Sequence, residues 1–146
     1  MLEIVKLRLE FIKRILENLG YIAEVSPEEF YKYLTGETYT NDKITLKEIL
    51  DNDYLMIHEV VEINELKKRG LRINRNTLIS SPRALIYKAH LKALEMELSY
   101  ASDKGDKNWV VRRLKDLESY LNEPHLSEEL RAKIRGLLER FNPADG

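Results

Sequence analysis

Apolar residues recur three and four positions apart from one end of this chain to the other. Leu2, Val5, Leu9, Ile12, Leu16 and Leu19 open the pattern, with Ile4, Phe11 and Ile15 widening the stripe. Such spacing puts side chains on one face of a 3.6-residue helix and is incompatible with the two-residue period of a strand. No alternating segment longer than four residues interrupts it, so the chain is expected to be all-α, a single domain over residues 1–146 with six to seven helices.

Punctuation supports that division. Gly20 closes the first helix. Ser26-Pro27-Glu28-Glu29 and Thr45-Leu46-Lys47-Glu48 read as capping boxes, the first with proline at the opening helical position. Asp53 is the expected cap of a helix running to Arg69 and closed by Gly70. Residues 71–81 read as an irregular basic linker. Ser81-Pro82 opens a long helix ending at Gly105, Asp106 or Lys107 opens the next, and Ser127 caps the last.

Composition removes several function classes. Cysteine is absent, which excludes disulfides, thiolate metal sites and thiol catalysis. No apolar run reaches 18 residues, so no membrane span is expected. Glu3, Glu10 and Glu17 break the first twenty residues, so no signal peptide is expected and cytoplasm is the expected compartment. Glutamine is also absent while Lys, Glu and Arg abound, a thermophile-like mixture.

The net charge of −1 conceals a strong asymmetry. Residues 21–66 hold eleven acidic and three basic residues, whereas residues 67–92 hold eight basic residues and no acid. One consequence is ion pairing between the two blocks. The other is an anion site, with Lys67, Arg69, Arg72, Arg75 and Arg83 as candidate phosphate ligands of a nucleic acid. No aromatic precedes Tyr87 in the basic block, which favours backbone contact over base stacking.

Two helices carry polar groups where an apolar face is expected. Around residues 54–69 apolar side chains occur on nearly every side, as in a central buried helix, yet His58, Glu59 and Glu62 are inserted among them. Around residues 83–104, His90 and Glu97 sit one heptad apart at the edge of the apolar face. Buried carboxylates are costly unless paired, protonated or bound to a metal. Glu59, Glu62, Glu97 and His58 are therefore candidate ligands for a divalent cation such as Mg²⁺, Mn²⁺ or Fe²⁺, and Glu59, Glu62 and His90 candidate catalytic groups. The structural alternatives are a helical His58/Glu62 pair, a solvent-reaching Glu59 and a core histidine at 90. His58-Glu59-Val60-Val61-Glu62 lacks the second histidine of the zincin motif.

Glu59-x-x-Glu62 followed by Glu97-Leu98-Ser99-Tyr100-Ala101 resembles the ribonuclease III domain over residues 54–104. That family's signature helix reads Glu-Arg-Leu-Glu-Phe-Leu-Gly-Asp and its later helix Asp-x-x-Glu-Ala-Leu. Glu59, Glu62 and Glu97 match its glutamates, while Glu65, Leu66 and Leu94 stand where it has Gly, Asp and Asp. The resemblance implies an all-α, dimeric, RNA-binding protein or metal-dependent ribonuclease, catalytically degenerate at the replaced acids. Arg83-x6-His90 resembles the motif of HEPN-type domains, which implies metal-free RNA cleavage with His90 as acid or base and Arg83 on the phosphate. Glu59 and Glu62 are also similar to the acids of MazG-like pyrophosphatases, without the downstream Glu-x-x-Asp. The remaining alternative is a non-catalytic protein that dimerises or binds a partner through Leu2, Val5, Leu9, Ile12 and Leu16.

Overall fold

A computed structural model describes residues 2–36 and 45–143. Among these residues every regular element is a helix: α1 (Leu2–Asn18), α2 (Pro27–Leu34), α3 (Leu46–Leu50), α4 (Asp53–Lys68), α5 (Thr77–Ser80), α6 (Arg83–Asp103), α7 (Lys107–Ser119) and α8 (Glu128–Arg140), with a 3₁₀ turn over Tyr120–Asn122. The chain divides into two compact units, residues 1–96 and 97–146, and α6 runs through the boundary. Glu37 and Asp42 of the acidic stretch lie outside the described residues.

Both capping boxes form. The Ser26 hydroxyl accepts from the Glu29 N–H while the Glu29 carboxylate accepts from the Ser26 N–H, and Thr45 and Glu48 repeat the exchange. Gly20 and Gly70 close α1 and α4 at φ of 84° and 85°, a region that costs a side chain strain. Two local expectations change. Asn52, not Asp53, caps α4, because its side-chain oxygen accepts from the Leu55 N–H while the Asp53 carboxylate is held by Arg8. The basic stretch is not wholly irregular: Thr77 accepts from the Asn74 N–H and donates to the Arg72 carbonyl, and one helical turn follows.

In the first unit α1 packs against α2 and α4, and α2 and α3 against α4. Val5, Leu9, Ile12 and Leu16 are buried there, so this face of α1 is core. Ile4 and Phe11, expected to widen it, are exposed, because the stripe is broader than its neighbours cover. α4 is the centre of the unit, buried at every position from Met56 to Leu66 except Glu59. It is polar as well as apolar inside, and each buried polar group has a partner. The Asn64 amide accepts from the Glu24 N–H at 2.9 Å and donates to the Tyr21 hydroxyl and the Ile22 carbonyl, stitching the segment 21–25 onto α4. The Tyr21 hydroxyl donates to Glu65 at 2.6 Å, and Lys68 and Arg69 complete that carboxylate's shell.

Glu65 therefore links acid to stability. Burial pushes its carboxyl up, but hydrogen bonds from Tyr21, Arg69 and Lys68 outweigh that, and the net shift is downward. A carboxyl depressed in the folded state contributes stability above its unfolded value and loses it as pH falls through the folded value. The urea midpoint is expected to hold steady from pH 7 to about 5 and to fall below the ordinary glutamate value of about 4.3. Glu65→Gln should lessen that acid limb, with the remainder belonging to other depressed carboxyls such as Glu62; an unchanged limb would assign it wholly to them.

The second unit comprises the end of α6, with α7, the 3₁₀ turn and α8. Val110, Leu114 and Leu117 of α7 and Leu130 and Ile134 of α8 are buried. Arg131 holds the connecting segment by donating to the carbonyls of Leu121, Glu123 and Leu126. Pro124 sits within this segment, where a lost N–H costs little.

Candidate metal centre

α4 offers His58 and Glu62 one turn apart, and α6 offers His90. Among the described residues these three form a group that could hold a metal ion. His58 and Glu62 are 4% and 7% exposed, while the His90 side chain keeps 23%, so the group lies just beneath the surface. His58 Nε2 stands 3.1 Å from Glu62 Oε2 and 3.1 Å from His90 Nδ1, and His90 Nδ1 stands 3.2 Å from the same carboxylate oxygen. The two imidazoles meet edge to face, with centroids 4.7 Å apart.

Three ligand atoms thus mark a nearly equilateral triangle. An octahedral ion with bonds of about 2.1–2.2 Å places neighbouring ligands roughly 3.0–3.1 Å apart. A tetrahedral zinc ion with bonds of about 2.0 Å needs roughly 3.3 Å. The observed edges fall between these values. Glu62 Oε2 can accept an N–H from each imidazole, so the same triangle can be closed by two hydrogen bonds or by a cation.

The other carboxylate oxygen, Oε1, accepts a hydrogen bond from the buried hydroxyl of Tyr33 on α2. Burial pushes the Glu62 carboxyl up, yet hydrogen bonds from His58 and His90 outweigh it and hold the group below the usual carboxylate range. The Tyr33 phenol moves the opposite way: burial raises it, and the charges of Glu62 and Glu59 raise it further. The pair is therefore a neutral phenol donating to a charged carboxylate.

The other candidates from the sequence lie elsewhere. Glu59 is half-buried on α4 and is not in the three-residue group. Glu97 is fully buried in the second unit, where both its oxygens are taken: Arg113 donates to Oε2 at 2.6 Å and to Oε1 at 3.0 Å, and the Trp109 indole donates to Oε2 at 2.7 Å. Lys67 is held by Glu29 and the Glu24 carbonyl, and Arg69 by Glu65, so these two cations are spent within the first unit. Arg72, Arg75 and Arg83 are exposed. Leu66 and Leu94, at the positions where the ribonuclease III signature has acids, are core residues.

Tyr33 joins the site without having been a candidate from the sequence. The available signal was its place three residues after Phe30 on a capped helix, where a buried hydroxyl must find an acceptor. No family of known proteins, no curated protein and no solved structure matches this chain.

Proposed function

We propose that this protein is a metal-dependent hydrolase of phosphodiesters, with RNA as its substrate class and His58, Glu62 and His90 as its metal ligands. The triangle of ligand atoms with edges of 3.1–3.2 Å carries this reading. Three protein ligands on one side of an ion leave positions for water and substrate, as catalytic rather than structural sites do. Two imidazoles favour zinc, iron or manganese over magnesium, which prefers oxygen. A bound ion of this kind lowers the pKa of a coordinated water and offsets charge on a phosphoryl oxygen. Arg72, Arg75 and Arg83 supply exposed cations, and Arg83 lies two turns before His90 on α6, on the same helical face.

The test combines binding with turnover. After chelation, the protein should take up one zinc, manganese or iron(II) per chain, and His90→Ala should take up none. The loaded protein should cleave RNA and the chelated one should not. Arg72→Ala with Arg75→Ala should weaken RNA binding for all sequences alike and lower the salt slope by about 1 for each lost contact. Cleavage that survives chelation would transfer the activity to a metal-free mechanism on Arg83 and His90. Absence of stoichiometric uptake would end the metal reading.

A further inference from the structure

The two oxygens of Glu62 face different partners. Oε2 forms a corner of the ligand triangle with both imidazoles, and Oε1 accepts the Tyr33 hydroxyl. A carboxylate can bind an ion through one oxygen or both, and the choice sets how many positions remain for anything else. We propose that Tyr33 is a positioning residue: its hydroxyl holds Glu62 to a single coordinating oxygen, so that the side of the ion opposite the triangle stays open to substrate. This rests on the metal-centre reading of His58, Glu62 and His90.

The placement of Tyr33 is specified from several directions. α2 begins at a complete capping box with Pro27 in its first turn, which sets the axis and the start of the helix. Phe30, fully buried one turn earlier, points the same face of α2 inward, and α2 packs directly on α4. The Tyr33 side chain is thus delivered to Glu62 from a short, well-anchored helix. Its hydroxyl is buried and donates to Glu62 Oε1. A phenylalanine would fill the same apolar space, so the hydroxyl is the part of this side chain that packing does not explain. The Tyr33 O–H is the donor and Glu62 Oε1 the acceptor. Outer partners of this type orient a ligand, and their loss typically lowers metal affinity by about 10–100-fold.

Cobalt(II) is a suitable probe because its visible spectrum reports coordination number and ligand geometry. The full chain and its Tyr33→Phe variant would be titrated with Co²⁺ after chelation, with helical content and thermal melting checked in both. The variant is expected to bind Co²⁺ about 10–100-fold more weakly and with a displaced visible spectrum, as the freed oxygen turns toward the ion. A purely structural hydroxyl would change the melt without moving the spectrum, and wild-type affinity with an unchanged spectrum overturns the proposal. Failure of the metal reading looks different: the wild-type chain itself would take no Co²⁺, and the role of Tyr33 would fall with it. If Tyr33→Phe does not fold, a crystal of the Co²⁺-loaded wild-type chain decides. Glu62 bound through Oε2 alone, with Tyr33 on Oε1, upholds the proposal, and coordination through both oxygens overturns it.

Discussion

Replacing Glu97 with alanine is expected to destabilise the protein by about 3–5 kcal/mol, measured by urea unfolding at neutral pH. Glu97 is completely buried and receives two hydrogen bonds from Arg113 and one from Trp109. Burial alone would lower the Arg113 guanidinium, but the charge and hydrogen bonds of Glu97 raise it instead. Removing the carboxylate leaves that guanidinium largely buried with no fixed counter-charge at its Nε and Nη2, together with an unserved indole N–H. The cost comes mostly from the stranded partners, so replacing both sides should be milder. Glu97→Leu with Arg113→Met is expected to recover most of the loss, provided Trp109 finds water. A single-variant cost below about 1 kcal/mol would mean that solvent reaches the guanidinium and that the pair behaves as an exposed one. Glu97→Ala should still take up one metal ion per chain, because both carboxylate oxygens already serve the second unit.

The second large effect concerns the first unit. An ion that binds only the folded state at a free concentration 100 times its dissociation constant adds about 2.7 kcal/mol of stability. For a chain of this size that corresponds to a rise in midpoint of roughly 5–10 °C. The expected calorimetric result is such a rise on adding zinc or manganese to the chelated protein. Glu62→Ala and His90→Ala should abolish the rise, since each removes a corner of the triangle. Glu59→Ala should retain it, because Glu59 is not part of the group. A rise that persists in Glu62→Ala would place the ion on other ligands.

The contrast between Glu62 and Glu97 shows how far the helical period reaches. Both glutamates are buried, as their positions on otherwise apolar faces predict, and neither lacks a partner. Periodicity identifies a carboxylate that must be compensated, but it carries no information on what compensates it. Glu62 meets two imidazoles and a phenol, a set suited to a cation. Glu97 meets a guanidinium and an indole, which satisfy it as a permanent ion pair. The same limit applies to the basic block. Its charge was plain in the sequence, yet only the packing of the segment before α2 and of α2 itself against α4 consigned Lys67 to Glu29, while Arg72 and Arg75 stayed exposed.

The signals legible in the amino-acid order are local. Glycines at left-handed positions, serine and threonine capping boxes and the three-four spacing of apolar residues act within one or two turns. They suffice for the all-α class and for nearly every helix boundary. Asn52 and Thr77 escaped because in each case the deciding bond competes with a neighbour: Arg8 takes the carboxylate of Asp53, and Thr77 bonds back into a segment read as irregular. Convergence of distant residues came from packing. His58 and His90 stand 32 positions apart, and Tyr33 and Glu62 stand 29 apart. A contact across such a span depends on how α2, α4 and α6 pack, and packing is set by the summed fit of many apolar side chains, none of which records the result alone.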